Sequence, residues 1–310
     1  MSFRFKRGES AGDGIRRMAR EQMDRALEDI ADSDIDRHDT VHQVRKRCKK
    51  IRALLRLARG DLDNGCQVYQ RENECFREAA RSLSSFRDAE ALLETCDLLI
   101  DKAARQGNRQ RLKRVREVLQ ERKRQVARDD ANLARRIDAC AATIREARKR
   151  VGDWPIGDGF GALAPGLQKT FSRGRKAMKQ AAQKPGAENF HQWRKRVKYH
   201  LYHVQVLQPL WAGVLDHWRD ALTDLGEDLG EDHDLAVFAE TLSVEHERFA
   251  CNRDLQVLLG LSDRRRARLQ ARALSLGQRL FAEQPKHLVR RFEAYWEASC
   301  SDVERNWKQI

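Results

Sequence analysis

Apolar residues recur every three or four positions along almost the whole chain, and charged residues fill the intervals. That period is the helical one. Ile15, Met18, Met23, Leu27 and Ile30 predict a first helix from about Ser10 to Ile30, ended by Asp32-Ser33-Asp34. A second is expected from a cap at Asp39 or Thr40 to about Arg59, where a short side-chain oxygen can satisfy the free N–H groups of the first turn. The pattern then predicts helices over 67–82 and up to about 104, with a short joint at 83–89, and one long, densely charged, solvent-facing helix over 109–150. Glycines and prolines crowd residues 152–166. They divide the chain into a first unit (1–151), a linker (152–166) and a second unit (167–310). The second unit opens with helices over 167–182 and from 191 to Gln208, then one over 210–225. A joint at 229–235 and three further helical stretches complete it. With few β-branched runs and only five prolines, the chain reads as all-α.

One stretch occurs twice. Val41-His42-Gln43-Val44-Arg45-Lys46-Arg47-Cys48-Lys49 and Phe190-His191-Gln192-Trp193-Arg194-Lys195-Arg196-Val197-Lys198 share one pattern of apolar, His, Gln and basic positions. Val41, Val44, Cys48, Ile51 and Leu55 form one helical stripe, and Phe190, Trp193, Val197, Leu201 and Val204 form its counterpart. His42, Arg45, Lys46, Lys49 and Lys50 share the adjoining face. His191, Arg194, Lys195 and Lys198 repeat it, with Tyr199 in the place of Lys50. Like charges on one helix face repel by tenths of a kcal/mol per pair, so a face built this way twice implies an anion to neutralise it. Arg87-Asp88 lies 45 residues after His42, and His233-Asp234 lies 42 after His191, so the repeat spans several elements. Two such units suggest two helical bundles related by a pseudo-two-fold, their basic faces meeting in a shared groove.

Charge extends this picture. Lys and Arg number 61 against 47 Asp and Glu, a formal net charge of +14. Polyanionic partners follow: nucleic acid, anionic lipid or a phosphate polymer. No apolar run approaches the ~18 residues of a membrane span, and the N-terminal residues hold no signal-peptide core, so a cytosolic location is expected. The seven cysteines lack C-x-x-C spacing and are expected as buried free thiols. Trp193, Tyr202, Trp211 and Trp218 are expected in the core.

The chain resembles the CHAD domain, the conserved histidine α-helical domain. The resemblance rests on His42-x-x-Arg45-Lys46-x-x-Lys49, its repeat His191-x-x-Arg194-Lys195-x-x-Lys198, and the Arg87-Asp88 and His233-Asp234 pairs, and it covers most of the chain from about residue 8. In that family the joint usually reads Arg-Asp, and here the second copy has His233. The resemblance implies two antiparallel four-helix bundles with internal pseudo-two-fold symmetry, a basic central cavity and binding of inorganic polyphosphate. CHAD domains often accompany a CYTH-type triphosphatase domain. No strand-rich segment of that kind is present, so a stand-alone CHAD protein is expected.

Arg bonds two phosphate oxygens at once and Lys acts as a mobile point charge. The expected polyphosphate ligands are therefore His42, Arg45, Lys46, Lys49, Lys50, His191, Arg194, Lys195 and Lys198, with Arg17, Arg20, Lys169 and Arg173 adding cations. The histidines would donate to phosphate when protonated, because a polyanion raises their pKa. Asp88 and Asp234 cannot face phosphate favourably. With Arg87 and His233 they are assigned structural roles, orienting a basic side chain or capping a helix. No cofactor, metal or catalytic step is expected, and association with polyphosphate granules would be the purpose of binding. The rival readings are a non-specific nucleic-acid binder and a phosphate-metabolising enzyme using the paired histidines. An acidic run from Glu227 to Asp234 could hold a cation for such an enzyme, or else balance nearby Lys and Arg. An oligomerising scaffold would leave the matched basic faces unexplained.

Overall fold

A computed structural model describes residues 3–63, 67–104, 109–127, 130–248 and 252–307, with the side chains of 85–88 among those outside the described set. Among the described residues every regular element is helical. The elements are α1 (Ala11–Ala31), α2 (Arg37–Leu57), the single turn α3 (Arg59–Leu62), α4 (Val68–Ser82), α5 (Ser84–Ala104), α6 (Arg109–Ala127) and α7 (Asp130–Arg150). They continue with α8 (Ala164–Gln183), α9 (Ala187–Leu207), α10 (Ala212–Val244), α11 (Asn252–Leu280) and α12 (Pro285–Trp307).

Local chemistry sets the ends. The Ser10 hydroxyl accepts from the Asp13 amide at 3.1 Å and starts α1. α2 begins a turn earlier than expected, because the Asp36 carboxylate accepts from the His38 amide at 2.9 Å. The anticipated joint after α4 is one buried residue, Leu83, with α5 starting at Ser84. The long charged pattern over 109–150 is two helices that face different cores. α6 buries Val115 and Leu119, while α7 buries Leu133, Ile137, Cys140 and Ile144, so neither is the solvent-facing rod its charge suggested.

The largest departure is α10, whose 33 residues run straight through the joint expected at 229–235. The acidic run read as a turn because its charges disfavour a packed helix. Here they are matched from α11: Glu231 accepts from Arg265 at 2.6 and 2.7 Å, Asp232 from Arg266 at 3.1 Å, and Asp228 from Arg272 at 2.5 and 3.1 Å. Neutralised in this way, the segment buries Leu222, Leu225, Leu229, Leu235 and Phe238.

In the first half, α2 and α7 each pack on both α1 and α4. In the second half α8 packs on α9 and α12, and α10 lies between α9 and α11. One apolar core draws on both halves, through α1, α2, α4, α7, α8, α9, α12 and the start of α10. A smaller core joins α5 and α6 to the end of α10 and to α11. Residues 152–166 are loop-like only in backbone. Trp154, Ile156, Phe160 and Leu163 are buried. The Ala11 amide donates to the Asp158 carbonyl at 2.9 Å and Arg16 Nη1 to the Trp154 carbonyl at 3.0 Å, so the segment straps α1 down. Trp193 is fully buried as expected, but Trp211 is half exposed, edge-on to Tyr295 at 5.0 Å. Cys48, Cys96 and Cys140 are buried free thiols, whereas Cys300 is exposed. No described helix is long and apolar enough to cross a membrane.

Candidate functional site

The two copies of the repeated stretch meet, since α2 packs against α9. Both predicted apolar stripes are buried in full, and this turns the adjoining basic faces toward a common seam. Along α2 the row Lys49, Arg52 and Arg56 advances by three or four residues per step, and Arg59 on α3 extends it. At 1.5 Å per residue the row covers about 15 Å.

At one end of the seam, His191 and His233 stack with ring centroids 3.8 Å apart and planes 25° from parallel. Burial, then Lys195 and Arg194 and also Lys49 from the opposite copy, hold His191 down to about 4. Burial and His191 itself, with Arg194, Lys195 and Lys49, take His233 to about 3. Both rings are therefore neutral at pH 7 among these cations, and His191 becomes the expected charged donor only where an anion raises its pKa. His191 Nδ1 is buried and meets no partner among the described residues. Lys198 is held below the usual lysine range by burial, with Arg194 and Lys46 of the other copy adding to the effect. Lys195 is lowered in the same sense, chiefly by burial, with Arg52 among the cations that press on it.

Two glycines of α10 lie against these side chains, and Gly226 is the one whose missing Cβ gives room. A Cβ at Gly226 would lie 3.1 Å from Lys198 Nζ, and one at Gly230 would lie 3.5 Å from Arg194 Nε. The guanidinium and ammonium thus slot between α9 and α10. Arg194 Nε is buried without an acceptor among the described residues, a strong donor whose hydrogen-bonding capacity is unused.

Toward the other end, Arg56 lies over the Tyr199 ring at 4.0 Å, and its Nη1 donates to Asn73 Oδ1 at 2.8 Å. Arg52 Nε shares the same acceptor at 3.2 Å. Asn73 therefore fixes two neighbouring cations without neutralising either. Beyond them Arg59 lies over Tyr69 at 4.3 Å, and a recess is lined by Lys169, Arg173 and Arg196.

The expected ligands divide sharply. Lys46, Lys49, Arg194, Lys195, Lys198 and His191 come together at the seam, and Lys169 and Arg173 lie at its far end. Arg17 does not join them. It is clamped by Glu9 at 2.5 and 2.6 Å and by Glu21 at 3.0 Å, on the outer side of α1. Arg20 lies against Gly152 of the strap. Lys50 is buried with Nζ 4.7 Å from the centre of the Phe3 ring, and burial and then Arg47 lower it to about 8. Arg45 donates to the Ala80 carbonyl at 2.5 Å and so closes the end of α4. Its counterpart Arg194 has no such duty, because α10 continues where α4 stops. His42 lines an open cleft with Asp36, Asp39, Glu90 and Glu94, where Lys123 pairs with Glu90 at 2.7 Å, and this excess of carboxylates opposes phosphate. Asp234 is half-buried on α10, following the stacked His233. The side chains of Arg87 and Asp88 lie outside the described residues. Periodicity could have found Arg52, Arg56 and Arg59, since they continue the row from Lys49. Arg196 is a third of a turn or more off that row's counterpart on α9, and the shared motif gave it no role.

The carboxylates that could have held a cation, Asp228, Glu231 and Asp232, are committed to α11 arginines. Among the described residues no group of three or more His, Cys, Asp or Glu is placed to hold a metal ion.

The sequence profile of the CHAD domain matches residues 17–243. The crystal structure of the CHAD domain from the plant Ricinus communis is similar, with a TM-score of 0.53 at 17% identity, over 89% of this chain and 96% of that one. At this identity the likeness is one of fold. A search of curated proteins finds no match.

Proposed function

Because the chain belongs to the CHAD-domain family, we propose that it binds inorganic polyphosphate along the seam between α2 and α9. The observation that carries the reading is the set of cations from both copies that press on one another there, among them Arg194, whose buried Nε meets no acceptor among the described residues. A phosphate polymer has no base edges or rings to recognise, and repeated charge-assisted contacts with its oxygens supply the binding energy. In this reading the two halves, residues 1–151 and 167–310, are two four-helix bundles related by an internal pseudo-two-fold, and each lends one basic helix. The halves contribute unequally, since Arg45 is bonded to the end of α4 and His42 lines the cleft with Glu90 and Glu94. The protein holds its ligand and carries out no reaction on it, and its place is in the cytosol at polyphosphate granules.

The test is a titration of the protein with long-chain polyphosphate and, separately, with single-stranded RNA at ~150 mM salt, where diffuse surface charge is largely screened. The expected result is tight polyphosphate binding and weak RNA binding, with Arg194→Glu weakening the first by at least tenfold, as loss and reversal of one desolvated charge contact requires. Equal affinity for RNA, or an unaffected variant, would favour non-specific binding driven by the +14 charge.

A further inference from the structure

The recess at the far end of the seam has a composition the rest of the seam lacks. Arg56, Arg59, Lys169, Arg173 and Arg196 converge there with Tyr69, Tyr199 and the buried Thr170. Asp63 is the carboxylate in reach, and it is already bonded to Arg59 at 2.8 Å. Burial, and with it Arg173, lowers Arg196, and burial with Arg59 and Arg173 lowers Lys169. Arg56 Nε is buried and meets no acceptor among the described residues. The wall behind them is backbone. Gly166 of α8 sits so close to the last turn of α2 that a Cβ there would lie 2.0 Å from the Leu57 carbonyl oxygen and 2.3 Å from that of Arg56. The recess therefore ends the row of cations with a wall.

We propose that this recess takes the terminal phosphate of a polyphosphate chain, so that the protein recognises chain ends as well as the chain. The proposal rests on the polyphosphate reading of the seam. The chemistry follows from charge. An internal phosphate carries one negative charge, whereas a terminal phosphate with its second ionisation near neutrality approaches two and offers three free oxygens. Five convergent cations against one carboxylate suit that group. The recess is narrow as the side chains stand. A phosphate seats by displacing the exposed chains of Lys169 and Arg173 outward. The cations are contiguous with the seam: Arg52 acts on both Lys195 and Arg56, and Arg56 acts with Arg196. A chain lying on α2 and α9 can therefore deliver its end here.

The experiment compares long-chain polyphosphate with free ends against the same polymer whose ends are capped as alkyl phosphoramidates, on the full chain, Arg173→Glu and Arg194→Glu. Arg173 is exposed on α8 and Arg194 half-buried on α9, and circular dichroism checks the folding of both variants. The expected result is roughly tenfold weaker binding of the capped polymer by the unsubstituted protein, the loss of one charge-assisted contact set. Arg173→Glu should bring that ratio close to one. Arg194→Glu should weaken both polymers and keep the ratio. Equal binding of capped and free polymer, with Arg194→Glu still weakened, would overturn the end pocket and leave the polyphosphate reading standing. Failure of the unsubstituted protein to bind either polymer would overturn both.

Discussion

His191 and His233 show how far a residue's neighbours can reset its chemistry. The repeat made both visible: His191 beside Arg and Lys suggested a donor to phosphate once a polyanion protonates it, and His233 an orienting role. The chain alone could not show that His191 stacks on His233, which follows 42 residues later. Two charged imidazoles do not stack among Arg194, Lys195 and Lys49, so burial and these cations keep both neutral. Two more histidines, His200 and His203, are fully buried in the core and held to about 3 and about 4, chiefly by burial. In the unfolded chain all four bind a proton near pH 6.5. The unfolded state therefore holds more protons between about pH 6.5 and 4, and stability falls as pH drops through that window. Melting temperature should fall steadily between pH 7 and 5. Saturating polyphosphate should reduce the slope, because its charge raises the pKa of His191 and His233 while His200 and His203 stay shielded. A melting temperature flat over that range, or a slope that polyphosphate leaves unchanged, would contradict this.

At the scale of elements, hydrophobic periodicity located α1, α2, α4, α8 and α9 to within a turn or so, because each carries an uninterrupted apolar stripe. It failed at α10. There the glycines and carboxylates of 226–234 mimic a turn, and the arginines that neutralise them stand on another helix, more than thirty residues later. The same glycines now have distinct roles that a substitution can separate. At Gly230 a Cβ meets only the end of Arg194 at ordinary contact distance, so Gly230→Ala should stabilise the chain by about 0.5–1 kcal/mol through helix propensity. At Gly166 a Cβ meets carbonyl oxygens of the α2 backbone, which cannot swing aside, so Gly166→Ala should destabilise by about 1–3 kcal/mol or more. Urea denaturation of both variants checks the pair. Equal and opposite signs from those stated would mean that α8 does not press on α2 as described.

For the whole molecule, the sequence revealed the all-helical class, the duplication and the basic excess, since these are properties of period and count. The strap over 152–166 looked like a linker because backbone composition dominated the reading, and the burial of Trp154 and Phe160 depends on an N-terminal segment far away in sequence. The pairing of α5 and α6 with α10 and α11 in a second core was likewise hidden, because periodicity shows that a face is apolar and not what covers it. The same limit applies to charge: thirteen cation-bearing or histidine positions looked equivalent as candidate ligands, yet Glu9 and Glu21 hold Arg17, the Ala80 carbonyl holds Arg45, Lys50 is buried against Phe3, and His42 lines a largely acidic cleft.

The central claim is that the +14 charge acts through one seam rather than over the whole surface. Lysine acetylation footprinting by mass spectrometry, with and without long-chain polyphosphate, tests it directly. Lys49, Lys195, Lys198 and Lys169 should be protected by the polymer, while Lys149, Lys184 and Lys286, exposed on other faces, should react at unchanged rates. Uniform protection of all seven, or protection confined to the last three, would contradict the account.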